Sequence, residues 1–202
     1  MPEKLIYPSA TRNAGAIIQC LSQYLPAEGR ILEIASGLGQ HISGLAARFP
    51  AISWQPSDPD AEARASISAW ARSENGANLL LPLDIDVTEV SWSEKMANAI
   101  DGIVAINMLH VAPGRACLGL LQGAGALLPS GGVLYLYGPY KIDGEPWAAS
   151  NEAFDASLRA RNPQWGIRNR ADVVDAAAGH DLEFADCITM PANNISLIFR
   201  KA

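Results

Sequence analysis

Arg30-Ile-Leu-Glu-Ile-Ala-Ser-Gly-Leu-Gly-Gln-His41 is the stretch from which the rest of the chain is read. Ile31, Leu32 and Ile34 form a short apolar run around Glu33, the pattern of a parallel strand buried on both faces. Ala35, Ser36, Gly37 and Gly39 then leave the backbone open to a ligand, and Gln40 to Phe49 reads as a helix. Strand, small-residue turn and helix, in that order, begin a nucleotide site. The dinucleotide fingerprint G-x-G-x-x-G fails in both registers. Begun at Gly37 it meets Ile42 where the third small residue belongs, and ended at Gly39 it needs glycines where Ile34 and Ser36 stand. The pattern that does fit is acidic-x-small-x-Gly-x-Gly, carried by Glu33, Ala35, Gly37 and Gly39.

Composition bounds the class. With 202 residues, 49% of them apolar and 18% charged, the sequence suits one soluble domain spanning 1–202 with a substantial core. A net charge of -6 and the lack of a basic run disfavour a nucleic-acid partner, which needs clustered Lys and Arg. Cys20, Cys117 and Cys187 are odd in number and far apart, matching neither a disulfide framework nor a zinc site, so no metal is expected and a reducing cytoplasm is. The start, Met1-Pro-Glu-Lys, lacks the order of a secretory signal. Ala116 to Tyr140 carries no charge, but Gln122, Gly123, Gly125 and Pro129-Ser-Gly-Gly132 interrupt it, so no membrane association is expected.

Outward from the glycine turn, Ile17, Ile18, Leu21 and Leu25 predict an amphipathic helix over about 8–25, with Arg12-Asn13 near its start. Ile52-Ser-Trp54 starts a second strand, and Asp58 lies 19 residues beyond Gly39, near the interval at which an acidic residue meets a ribose. Asp60 is the rival, or else the N-cap of a helix over Ala61 to Ala71 that Glu74-Asn-Gly-Ala77 breaks. Leu79 to Leu83 reads as a third strand. Asp86 and Val87 after it could hold and cover an adenine, although Asp84 or Asp86 could equally cap a helix over Val90 to Ala99. The uninterrupted run Asp101 to Ile106 makes a central fourth strand, which places Asn107 in the crevice where doubly wound sheets bind ligands. A helix from Gly114 to Leu128 and a fifth strand ending at Tyr137 follow. The loop-rich insertion at about 138–169 offers a cover for a pocket. A helix over Arg170 to Ala178 and an antiparallel pair, Asp181 to Thr189 with Ile195 to Arg200, bring the count to seven strands. The fold class is α/β: one Rossmann-like domain, a seven-stranded, mostly parallel sheet with an antiparallel closing strand and helices on both faces.

The glycine pattern resembles motif I of class I S-adenosylmethionine (SAM) dependent methyltransferases, with Ala35 where most carry glycine. A closer resemblance rests on Ile31 to His41 together with Trp54-Gln-Pro-Ser-Asp58, Asn107-Met-Leu-His110, Tyr137-Gly-Pro-Tyr140, Ser150-Asn151, Phe154-Asp155, Trp165-Gly-Ile-Arg168 and Met190-Pro-Ala-Asn-Asn194. These phrases look like those of the small methyltransferase-like family that includes methyltransferase-like 26, in which alanine at position 35 is usual. The resemblance implies a class I methyltransferase fold and SAM as cofactor, held by Glu33, Ala35, Ser36, Gly37, Gly39, Asp58, Asp86, Val87 and Asn107. It supplies no substrate.

The expected function is methyl transfer from SAM to a small molecule, with a protein acceptor kept open. His110 is the best-placed general base on sequence grounds, ahead of Asp155, or else a satisfied core histidine. Tyr137 and Tyr140 could face a sulfonium through their rings, or pack in the core. Arg12, Asn13, Tyr140, Asn151 and Arg168 are the candidate substrate contacts. The guanidinium groups of Arg12, Arg159 and Arg168 hint at an anionic acceptor. The alternative is a SAM or S-adenosylhomocysteine binding protein without transferase activity, and a nicotinamide-dependent oxidoreductase is disfavoured by Ile34 and Ile42.

Overall fold

Period-two alternation along the apolar strands gives a sheet with two buried faces. The computed structural model describes residues 3–73, 77–96 and 98–202. Its strands are β1 (Gly29–Ile34), β2 (Ile52–Pro56), β3 (Gly102–Ile106), β4 (Val133–Gly138), β5 (Tyr140–Lys141), β6 (Arg168–Asn169), β7 (Leu182–Met190) and β8 (Asn194–Lys201). The helices are α1 (Pro8–Leu21), α2 (Gln40–Arg48), α3 (Ala61–Ser73), α4 (Gly114–Leu127), α5 (Ala149–Arg161) and α6 (Arg170–Ala178). The main sheet runs β2-β1-β3-β4-β8-β7; β1 to β4 are parallel, and β8 enters antiparallel between β4 and β7. β5 and β6 pair separately.

Neighbouring residues of one strand feed opposite cores. Leu32 and Ile34 of β1, Ile103 of β3 and Leu134 of β4 pack with Leu120 of α4 and Val173 of α6. Ile31, Val104 and Tyr135 point the other way, toward Ile17 of α1 and Leu45 of α2. Each fully buried Leu or Ile of this kind contributes about 1.5–3 kcal/mol.

The sheet has six strands, not the seven expected, and the missing one is Leu79 to Leu83. That segment runs beside β2 and starts a parallel ladder, Trp54 N–H to the Asn78 carbonyl at 2.7 Å and Leu80 N–H to the Trp54 carbonyl at 2.9 Å. The next two donors in that pattern would be Pro56 and Pro82, which have no N–H. The Gln55 side-chain amide reaches the Leu81 carbonyl instead (2.7 Å), the register slips, and Leu83 N–H takes the Pro56 carbonyl at 3.0 Å. Only isolated bridges at Leu79 and Leu83 remain.

Two helices are shorter than expected. α1 stops at Leu21 rather than continuing to residue 25. The helix expected over Val90 to Ala99 is a single 3₁₀ turn, Trp92–Lys95; Ala97, and residues 74–76 of the expected helix break, lie outside the described residues. The turn is set by packing: Trp92 is buried against Gly123 of α4, and its indole N–H donates to the Gly119 carbonyl at 2.8 Å. A methyl group on Gly119 would overlap the Val87 carbonyl oxygen, so two glycines one turn apart form the groove that seats Val87 and Trp92. Gly119→Ala is expected to lower the unfolding free energy by about 3 kcal/mol, because backbone must move to admit the methyl. Trp92→Phe, which deletes the indole donor, is expected to cost about 1 kcal/mol. Urea unfolding of both variants checks this.

Candidate functional site

The strand order reverses at β1: the chain goes from β1 outward to β2, then returns on the other side as β3. At such a switch the carboxyl ends of the strands diverge and leave a crevice. Both central strands end in a left-handed residue, Ala35 at φ 55° after β1 and Asn107 at φ 57° after β3. Non-glycine residues pay for this conformation unless surroundings enforce it. Here Ser36 N–H donates to the Ser57 carbonyl (2.8 Å), Ser57 N–H donates to Ser36 Oγ (3.2 Å), and Asn107 N–H donates to the Tyr137 carbonyl (2.8 Å). The turns are thereby fixed to the neighbouring strands, above a cavity of about 510 Å³.

Glu33 lines this cavity from the centre of the sheet, between Pro56 and Val104. It is 1% exposed, and its Oε2 has no hydrogen-bond partner. Burial pushes its pKa up to about 7, with Ser36 pulling down and the Asp58 charge pushing up. Asp58 also lines the cavity. Its carboxylate accepts from Gly37 N–H through Oδ2 and from Asp60 N–H through Oδ1, both at 2.9 Å. Burial raises its pKa, and those two amides work against the rise. Asp60 is the helix cap: its Oδ1 accepts from Glu62 N–H and Ala63 N–H at the start of α3. Across the cavity Asp86 holds the Thr88 amide at 2.8 Å, next to Val87.

Ala35, Ser36, Gly37 and Asn107 line the same cavity, so eight of the nine residues expected around the cofactor come together there. The ninth, Gly39, does not. It sits at φ 90° before α2, where a methyl would come within 3.0 Å of the Ile67 backbone and 3.1 Å of Trp70, so its smallness serves helix packing. Gly37 is the opposite case, with φ 55° and open space around the missing side chain.

The remaining candidates lie outside the lining. His110 is buried edge-on to Phe154 at 5.4 Å, and burial, then the nearby Arg168 and Arg161 charges, push its pKa down to about 4. Tyr140 is buried in the core that contains α4. Asn151 ties α5 to the β7–β8 turn by donating to the Asn193 carbonyl at 2.9 Å. Arg168 donates to the carbonyls of Leu109 and Ala112, closing the insertion onto the loop after β3. Arg12 is exposed on α1. Asn13 lies beside the Tyr137 hydroxyl, which is pushed up by burial, yet neither Asn13 Oδ1 nor that hydroxyl completes a hydrogen bond.

The lining contains groups that the sequence reading did not select. Tyr7 and Ala10 bring α1 over the cavity, and Gln40 and His41 face it from the first turn of α2. The Gln40 side-chain carbonyl accepts from Tyr7 N–H, which fastens the chain entering α1 to the turn. Gln40 and His41 follow directly on the glycine turn, a signal available in the sequence. The approach of Tyr7 is not, because it depends on how α1 docks.

The sequence profile of the family described as "Protein of unknown function (DUF938)" matches residues 4–201. Among solved structures, an O-methyltransferase family protein from Burkholderia thailandensis is similar with TM-score 0.81 at 14% identity, over 96% of this chain and 57% of its own. CalO1, a methyltransferase in calicheamicin biosynthesis solved in its SAH-bound form, gives 0.75 at 15% identity, over 96% of this chain and 54% of its own. An O-methyltransferase family 2 protein from Planctomyces limnophilus, in complex with apigenin, gives 0.74 at 18%, over 94% and 62%. The chain thus spans 54–62% of the length of these structures, and at such identities the likeness is one of fold.

The buried acid makes stability depend on pH. In the unfolded chain Glu33 ionises near its ordinary 4.5, whereas in the fold it keeps its proton up to about 7. Between those values the unfolded state binds fewer protons, so stability falls as pH rises and is flat above the folded value. Glu33→Gln removes this dependence. The variant should match wild type near pH 4 and exceed it by about 3 kcal/mol at pH 8, as read by chemical unfolding at both pH values.

Proposed function

We propose that this chain, which belongs to the DUF938 family, is a SAM-dependent methyltransferase acting on a small molecule. The observation that carries the reading is the unpartnered Oε2 of Glu33, a carboxyl 1% exposed in a cavity of small-molecule size. A buried acceptor of this kind is costly unless a ligand supplies the donor, and a cationic donor suits it best. SAM carries an ammonium group and a sulfonium. Asp58, a carboxylate on the cavity lining, suits the paired hydroxyls of a ribose. Asp86 and Val87 suit an adenine edge, and the open space at Gly37 admits the methionine part.

When bound, SAM supplies an electrophilic methyl group. The work of this chain is to hold and position: the two left-handed turns fix the strand ends at the cavity, and Tyr7 and Ala10 line one side of it. Positioning of this kind can account for about 7–11 kcal/mol of a barrier. The descriptions of the fold neighbours, an O-methyltransferase family protein and a methyltransferase in its SAH-bound form among them, support the same cofactor and a small acceptor. Kinship with the small methyltransferase-like family and a cytoplasmic site are part of this proposal. No helix among the described residues is long and apolar enough to cross a membrane.

The second reading, a SAM or S-adenosylhomocysteine binder without transferase activity, has one observation in its favour: His110, the expected base, lies outside the cavity lining. Methyl transfer to any acceptor that disappears in Asp58→Ala eliminates it.

Calorimetric titration with SAM, S-adenosylhomocysteine and NAD tests the cofactor. SAM should bind to wild type and lose about 100-fold in Asp58→Ala, roughly 2.7 kcal/mol, with Asp58→Asn in between. Tighter saturable binding of NAD than of SAM would overturn the assignment.

A further inference from the structure

This inference rests on the methyltransferase reading and concerns which acceptor the same cavity takes. Several polar side chains of the lining are already engaged inside the protein. Gln40 holds the Tyr7 amide and reaches Thr11, Ser36 spans Glu33 and Ser57, and Asp58 and Asp86 hold backbone amides. His41 differs from them. It lines the cavity from the first turn of α2, and its ring makes no hydrogen bond among the described residues. Burial pushes its pKa down to about 4, so the ring is neutral at physiological pH. A neutral imidazole presents one bare nitrogen, which accepts a hydrogen bond or a proton.

The charge of the cavity narrows the acceptor. Tyr7, Glu33, Asp58, Asp86 and Arg115 are the other titratable groups of the lining, and Arg115 is the only Lys or Arg among them. The arginines expected to hold an anionic acceptor are engaged or placed elsewhere: Arg168 on backbone carbonyls, Arg159 on Asp155 at 2.7 Å, Arg12 in solvent. A carboxylate or phosphate would therefore enter a cavity already lined by carboxyl groups. A hydroxyl enters without charge, but must lose its proton as it reacts.

We propose that His41 receives the proton of the acceptor, and that the acceptor is a small molecule bearing a neutral hydroxyl. The O–H donates to the bare imidazole nitrogen. As the oxygen forms its new bond to the methyl carbon, that carbon's bond to the sulfonium sulfur breaks and its electron pair leaves on sulfur as S-adenosylhomocysteine. Meanwhile the O–H bond breaks, its electron pair stays on oxygen, and the proton moves to the imidazole. The imidazolium so formed shares the cavity with the carboxylates of Asp58 and Asp86, whose negative charge favours it, and its proton returns to water when product leaves. A carboxylate brings no such proton and does not call on His41.

The test offers SAM with a labelled methyl group and a panel of phenols, catechols and primary alcohols, matched with benzoates and phosphate monoesters. Label is expected on the hydroxyl class alone. His41→Gln can accept a hydrogen bond but not a proton, and should lower kcat by about 100-fold or more while leaving KM and the Kd for S-adenosylhomocysteine within about threefold. Independently of activity, the imidazole NMR signals of cofactor-free protein that vanish in His41→Gln should titrate near pH 4. The proposal is overturned by label confined to benzoates or phosphates, by a kcat in His41→Gln within about threefold of wild type, or by loss of S-adenosylhomocysteine affinity in that variant. An unlabelled panel with protein that binds S-adenosylhomocysteine overturns it as well. Failure of wild type to bind SAM or S-adenosylhomocysteine overturns the cofactor reading beneath it.

Discussion

A carboxyl group in the middle of a parallel sheet is the constraint around which the rest is arranged. Glu33 is flanked by strands on both sides and covered by the turn that follows it, so its side chain has one direction left, into the cavity. Keeping it there requires that β1 end at once, and Ala35 in the left-handed region does this. The Ser36–Ser57 hydrogen bonds then carry the constraint to β2, and Asp58 carries it back through Gly37 N–H. Residues far apart in sequence are thereby locked around one space, whose lining carries the carboxyl groups of Glu33, Asp58 and Asp86.

The parts of this arrangement that were legible in the sequence are those set by local chemistry. β1, its turn and α2 follow from an apolar run, small residues and a helical run, and the expected residues that line the cavity follow from the same few motifs. The β7–β8 turn was equally local, with Ala192 and Asn193 at φ 59° and 56° where the sequence offered a run of turn residues. Leu79 to Leu83 has the four leucines of a buried strand, but its pairing with β2 is interrupted by prolines. Pro82 alone is tolerable at an edge; with Pro56 directly across from it both successive donors are missing, and that pairing emerges only when the two segments are aligned.

The acceptor side was the least legible, for a similar reason. Arg168, Asn151 and Tyr140 are polar or amphipathic residues in a loop-rich insertion, which made them candidates for ligand contact. In the fold Arg168 and Asn151 satisfy backbone carbonyls and Tyr140 fills a core. A segment with little regular structure has many backbone groups to satisfy, and its polar side chains are drawn to that task first. His41 stands directly after the glycine turn, and that it lines the cavity depends on how α2 starts rather than on any motif of its own.

The placement of β8 bears on how the chain reaches this state. β4 pairs with β8 over a long stretch of chain, from Val133 opposite Arg200 to Gly138 opposite Ile195, and the Arg200 guanidinium donates to the Tyr24 carbonyl at a sequence separation of 176. During synthesis β1, β3 and β4 emerge early, yet the outer edge of β4 stays unpaired until Asn194 to Lys201 has been made. An open, apolar strand edge recruits other chains. Folding of this protein is therefore governed by a late, long-range closure, the slow class of event in chains of high contact order, and the nascent chain depends for that interval on whatever shields β4.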